Sequence, residues 1–204
     1  MCLSVPFHAA RLSCNAQAED VSFVADPFDN SATTPVLAID YPAGSYSNGT
    51  GGAEFSTYFN DSSASGFQSM LLSYEVGFNQ GFNWVLGGKL PGLRGGDLNG
   101  CSGGKFSTSC FSSRIMWRTE GHGEGISVPY QSLSKLKSPI LKAYAYIPTP
   151  NDICKQKYVL CNEDGFGTSL GRGTFSFASG AWNKISMYVA LNNPTNIANG
   201  QIIV

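Results

Sequence analysis

Phe111-Ser-Ser-Arg-Ile-Met-Trp-Arg118 alternates without a break. In an extended chain successive side chains point to opposite sides, so Ser112, Arg114, Met116 and Arg118 share one face, and Phe111, Ser113, Ile115 and Trp117 share the other. The second set reads as a core face and the first as a polar one. The same period of two recurs elsewhere. Met70, Leu72, Tyr74, Val76 and Phe78 line one side of a strand, and Ile185, Met187, Val189 and Leu191 line another. Phe175 and Phe177 sit opposite Thr174 and Ser176. In Ala143-Tyr-Ala-Tyr-Ile147, Tyr144 and Tyr146 fall on one side and Ala143, Ala145 and Ile147 on the other. Gly, Asn, Asp and Ser clusters separate these segments. Short strands punctuated by turns predict an all-β sandwich of jelly-roll type. The one stretch with helical character, Tyr130 to Leu141, is short.

Composition agrees. Of 204 residues, 13% are charged, about half the usual share, while 24 glycines and 10 prolines supply turns and 25 aromatic residues supply core. The net charge of −1 leaves no basic excess for a nucleic-acid backbone, and no apolar run reaches the roughly 20 residues needed to cross a bilayer. Neither a nucleic-acid nor a membrane partner is expected, and the chain reads as a monomer.

Six cysteines form an even set: Cys2, Cys14, Cys101, Cys110, Cys154 and Cys161. Cys101–Cys110 and Cys154–Cys161 each close a short loop. Neither is a CxxC pair and both histidines lie far off in sequence, so local disulfides fit better than zinc. The pairing of Cys2 and Cys14 stays open. Disulfides and the sequons at Asn48 and Asn60 point to secretion. Met1 to Cys14 does not read as a secretion signal, because Pro6, His8 and Arg11 interrupt the apolar run.

The polar strand faces suit a sugar acid. Tyr rings stack on sugars, and an Arg grips a carboxylate through paired hydrogen bonds. Periodicity alone also fits an ordinary half-buried sheet face. Gly87-Gly-Lys-Leu-Pro-Gly-Leu-Arg-Gly-Gly96 follows the strand end Phe82–Leu86, lacks the spacing of a phosphate loop, and reads as a turn carrying Lys89 at a sheet margin.

Taken together, these residues resemble polysaccharide lyase family 14 and its fungal relatives, which include alginate and glucuronan lyases. The matching pieces are Tyr41-Pro-Ala-Gly-Ser-Tyr46, Leu72-Ser-Tyr-Glu-Val76, Gly87-Gly-Lys-Leu-Pro-Gly92, Cys101-Ser-Gly-Gly104, Arg114-Ile-Met-Trp-Arg118 and Tyr144-Ala-Tyr-Ile-Pro148. Gly167-Thr-Ser-Leu-Gly-Arg-Gly173, Gly180-Ala-Trp-Asn183 and Val189-Ala-Leu-Asn192 complete them, in the family's order. The resemblance implies a jelly roll whose concave sheet forms the substrate cleft, and cleavage of acidic polysaccharides by β-elimination. It carries catalytic roles onto Lys89, Tyr144 and Tyr146, and substrate binding onto Ser112 and Arg114.

Elimination on a uronate removes the C5 proton and expels the C4 oxygen. The carboxylate must be neutralised, a base must take the proton, and an acid must protonate the leaving oxygen. Arg114 suits the first task, helped by Ser112. Lys89, Tyr144 and Tyr146 suit the other two, with base and acid unassigned. Nearby Arg114 and Lys89 are expected to lower a tyrosine's pKa and favour the phenolate. No metal, cofactor or histidine is called for. The alternative is a non-catalytic, lectin-like binder of acidic polysaccharide or a truncated inactive lyase homologue; a purely structural secreted β-sandwich is a third reading.

Two departures from the family pattern shape the expected organisation. Family members run Gly-Glu almost directly into Ala-Tyr-x-Tyr, whereas here residues 125–142 intervene. They read as an insertion, either a loop beside the cleft or a translated intron, with the second preferred. The family also continues beyond Val204, so the jelly roll is expected to be incomplete at its C-terminus. The layout is an irregular segment over 1–30 and a lyase-like jelly roll over 31–204.

Overall fold

A computed structural model describes residues 12–16, 18–47, 49–57, 66–97, 99–124, 143–148, 152–162, 164 and 166–204. The sequons' asparagines, Cys2 and the whole of 125–142, including the stretch read as helical, lie outside the described residues. The chain divides into two compact units, Met1–Phe67 and Gln68–Val204.

In the first unit, β1 (Leu12–Ala16) pairs antiparallel with β4 (Ala53–Thr57), and β2 (Val21–Val24) with β3 (Val36–Ile39). Strands therefore occur within the first thirty residues, where sequence reading expects irregular chain. The β-branched and aromatic content of Val21-Ser-Phe-Val24 favours extension, but its short run shows no clear alternation.

The second unit is a sandwich of jelly-roll type. One sheet has three strands, β5 (Ser69–Phe78), β13 (Ala181–Ala190) and β14 (Gln201–Ile203), in the order β14-β13-β5. Its inward face is the alternating set read from sequence: Ile185 lies opposite Tyr74, Met187 opposite Leu72 and Val189 opposite Met70. Leu191 lies past the strand end and is exposed.

The second sheet contains β6 (Gly88–Gly96), β7 (Cys110–Trp117), β8 (His122–Glu124), β9 (Tyr144–Tyr146), β10 (Val159–Leu160), β11 (Thr168–Leu170) and β12 (Arg172–Ser176). β7 is central. β6 flanks it on one side, and β9 and β8 flank it on the other. Ile115, Trp117, Ala143, Ala145 and Leu170 from this sheet pack with Ile185, Met187 and Val189 from the other in one core. Phe82–Leu86, read as a strand end, is irregular. Phe82 and Trp84 instead close the core, with Phe78 ring centroids 5.1 and 4.6 Å from theirs and Trp117 5.6 Å from Phe78.

The register on β7 explains residues 125–142. Glu124 lies opposite Met116 and Tyr144 opposite Arg114, so Ile115 is the single β7 position between them. Ala143, fully buried and accepting the Leu170 N–H at 2.8 Å, is the one described residue left to fill it. β8 and β9 thus hold the register of one continuous strand, as if Glu124 were bonded directly to Ala143.

Two outcomes follow from this packing. Joining Glu124 to Ala143 by deleting 125–142 leaves a chain that unfolds cooperatively at the same or a higher midpoint; a deletion variant without native near-ultraviolet circular dichroism contradicts the register. Met187→Ala, at a fully buried site between the sheets, lowers unfolding free energy by about 2–5 kcal/mol in denaturant titration.

Candidate active site

Residues directly opposite in an antiparallel pair share a face of the sheet. β7 sets Tyr144 opposite Arg114 and Tyr146 opposite Ser112, while Lys89 lies opposite Met116. All five residues singled out from sequence therefore stand on one face, away from the core side of Ser113, Ile115, Trp117 and Ala145.

Lys89 reaches that face by a different route from the expected turn. Gly88–Gly96 is a strand with a bulge, in which Leu90 and Pro91 together oppose Ile115. The extra residue changes the phase, so Leu90 and Leu93, three apart, both pack on the core. Pro91 is tolerated there because a bulge leaves a ladder position unmade. The Tyr74 hydroxyl, from the facing sheet, donates to the Pro91 carbonyl at 3.2 Å. Opposite Arg114, Gly92 approaches β7 so closely that a Cβ would collide with the Ser113 carbonyl and the Arg114 backbone.

The five residues differ in access. Lys89 is exposed, Arg114 and Tyr144 are half-buried, and Ser112 and Tyr146 are buried. The Ser112 hydroxyl donates to the Cys101 carbonyl, and the Tyr146 phenol oxygen accepts the Gly104 N–H at 2.9 Å. The Cys101–Cys110 disulfide closes the same loop onto the start of β7. The Tyr144 phenol oxygen accepts the Gly167 N–H at 3.2 Å, and its ring meets Tyr146 edge-on at 5.9 Å. The second expected disulfide, Cys154–Cys161, is also formed.

The expected lowering of a tyrosine pKa does not occur at Tyr144. Its pKa is pushed up to about 12, first by burial, then by a hydrogen bond and charge interaction with Tyr146. The Gly167 amide and the Arg114 guanidinium pull the other way, Arg114 with the smallest effect. Half-burial costs the phenolate more solvation than one cation returns. Tyr144 is consequently a protonated phenol across the physiological range.

A concavity of about 430 Å3 opens over this face, lined among others by Lys89, Met116, Arg118, Tyr144, Ser169 and Arg172. Among the described residues of its lining are three cationic side chains, Lys89, Arg118 and Arg172. Sequence reading gave no role to Arg118 or Arg172. Arg118 shares the alternating face of Ser112 and Arg114, which was a usable signal. Arg172 reaches the cleft through pairing with Glu124, a long-range contact without a local signature. Among the described residues no group of three or more His, Cys, Asp or Glu side chains is placed to hold a metal ion.

Tyr146→Phe removes the two influences that, after burial, do most to raise the Tyr144 pKa. Ultraviolet titration of that variant is expected to show Tyr144 ionising below about 12, toward the ordinary 10.0. The folded state holds this proton more tightly than the unfolded chain. The associated stability is whole below about pH 10 and lost as pH rises through about 12 in the parent protein. An unmoved Tyr144 titration contradicts the coupling.

No curated protein matches the chain. Among solved structures, the crystal structure of the marine PL-14 alginate lyase from Aplysia kurodai is similar, with a TM-score of 0.70 and 32% sequence identity. The match covers 91% of this chain and 64% of that one, so the chain spans just under two thirds of that lyase's length. The Polysaccharide lyase 14 family matches residues 29–142 and 141–204, which takes in every site residue above, and the chain belongs to that family.

Proposed function

We propose that this chain is a polysaccharide lyase that acts on a uronate-containing polysaccharide by β-elimination. The observation that carries the reading is the cleft whose described lining brings Lys89, Arg118 and Arg172 together. Such a lining attracts and orients a polyanion, and the sheet excludes water from one side of it.

The roles follow from access and protonation. Arg114, beside Tyr144, neutralises the uronate carboxylate and stabilises the enolate that forms as C5 loses its proton. Lys89, the exposed amine at the bulge, takes that proton. The C5–H electron pair becomes the C4–C5 double bond, and the C4–O bond breaks. Tyr144, kept protonated by burial and by Tyr146, gives its proton to the leaving oxygen. Ser112 and Tyr146 sit beneath these groups. They hold the Cys101–Gly104 loop and the Tyr144 ring in place. No step draws on a cofactor. The two disulfides suit an oxidising, extracellular setting where such polymers are met.

Assay on a panel of polymannuronate, polyguluronate and polyglucuronate is expected to give ultraviolet absorbance from the new double bond on at least one. Lys89→Ala and Tyr144→Phe should each lower kcat about 10²–10⁴-fold, the usual share of a general acid or base. Polyuronate binding without unsaturated product from the parent protein identifies a lectin-like binder instead.

A further inference from the structure

A second pocket, of about 190 Å3, adjoins the cationic concavity. The two share Cys161, Asn162 and Gly167 in their walls, so they are parts of one cleft. Their chemistry differs sharply. None of the described residues lining the second pocket is charged, and two of them are Phe106 and Phe166, 55% and 46% exposed. Tyr146 forms part of the wall.

The Phe166 ring is seated. A Cβ at Gly104 would lie 3.4 Å from it, an ordinary van der Waals distance, so the ring stands beside the Gly104 turn. Gly104 has φ of +79°, a conformation that suits glycine, and its N–H is the group that donates to Tyr146. On the far side, both halves of the Cys154–Cys161 disulfide contribute to the wall. Single exposed phenyl groups are common on protein surfaces. Two at one uncharged pocket, continuous with a polar cleft and backed by a disulfide, form a built site. A phenyl face is matched by the apolar C–H face of a pyranose ring, and it makes no demand on a carboxylate.

We propose that this pocket is a second sugar subsite. It takes a residue of the same polysaccharide chain that lies across Arg114 and Tyr144, and it recognises that residue by ring stacking on Phe106 and Phe166. The inference rests on the reading of the cleft as a polyuronate site. It adds that recognition is one-sided: a carboxylate is required on the Lys89–Arg172 side and not on the phenylalanine side.

The test compares the parent protein with Phe106→Ala, Phe166→Ala and Phe166→Tyr on the preferred polyuronate and on the shortest uronate oligosaccharide it cleaves. Each alanine variant is expected to raise KM for the polymer about three- to tenfold, the size of one aromatic contact. Polymer kcat and the KM of the short substrate should change less than about twofold, and Phe166→Tyr, which keeps the ring, should match the parent. Equal losses on both substrates, no change on the polymer, or failure of Phe166→Tyr to match the parent overturns the subsite. If the parent makes no unsaturated product, the elimination chemistry fails by itself. Calorimetric binding of the same polyuronates then decides the subsite: weakening in Phe166→Ala supports it, and unchanged binding overturns it.

Discussion

The antiparallel register of β7 governs the cleft. Its backbone hydrogen bonds set Arg114 against Tyr144 and Ser112 against Tyr146, with directly opposed Cβ atoms about 4.5–5.5 Å apart. A slip of one residue would turn Ala145 outward and bring both tyrosines into the core. The apolar side forbids this. Ile115, Trp117 and Ala145 are almost wholly buried against Met187 and Val189 of the other sheet. The polar constellation is thus held by the packing of the face that carries no chemistry.

Lys89 joins that constellation through a departure from regular strand geometry. Without the bulge, Lys89 could not face the cleft while both Leu90 and Leu93 reach the core. The bulge is secured at two points. The Tyr74 hydroxyl holds the Pro91 carbonyl, and the bare backbone of Gly92 lies flat against β7. A glycine-rich, proline-bearing stretch is a poor strand by propensity. Here close approach and re-phasing matter more than propensity.

At Tyr144 two electrostatic effects compete, and burial prevails. A guanidinium on the facing strand favours the phenolate, but loss of solvation and the neighbouring Tyr146 favour the neutral phenol more strongly. The same cation that would attract a uronate is therefore compatible with a proton donor beside it. Among the described residues, cations line one pocket and uncharged groups with two phenyl rings line the adjoining one, with Tyr144 in the first wall and Tyr146 in the second.

Much of this was legible in the chain itself. Alternation in 70–78, 111–118, 143–147 and 185–191 is a local property, and it marked those strands, their core faces and the common side of Ser112 with Arg114 and of Tyr144 with Tyr146, while the β7 register put the two pairs on one face. Loop-closing spacing marked both disulfides. Tertiary structure decided the rest. It placed Arg172 at the cleft through pairing with β8. It made Gly88–Gly96 a bulged strand rather than a turn, and it raised the Tyr144 pKa where charge counting predicted the reverse. It also set Phe106 and Phe166, 60 residues apart in sequence, at one pocket. Each of these depends on which distant backbone lies alongside and how much water it displaces. Periodicity records the direction of a side chain, and it carries no record of that neighbour.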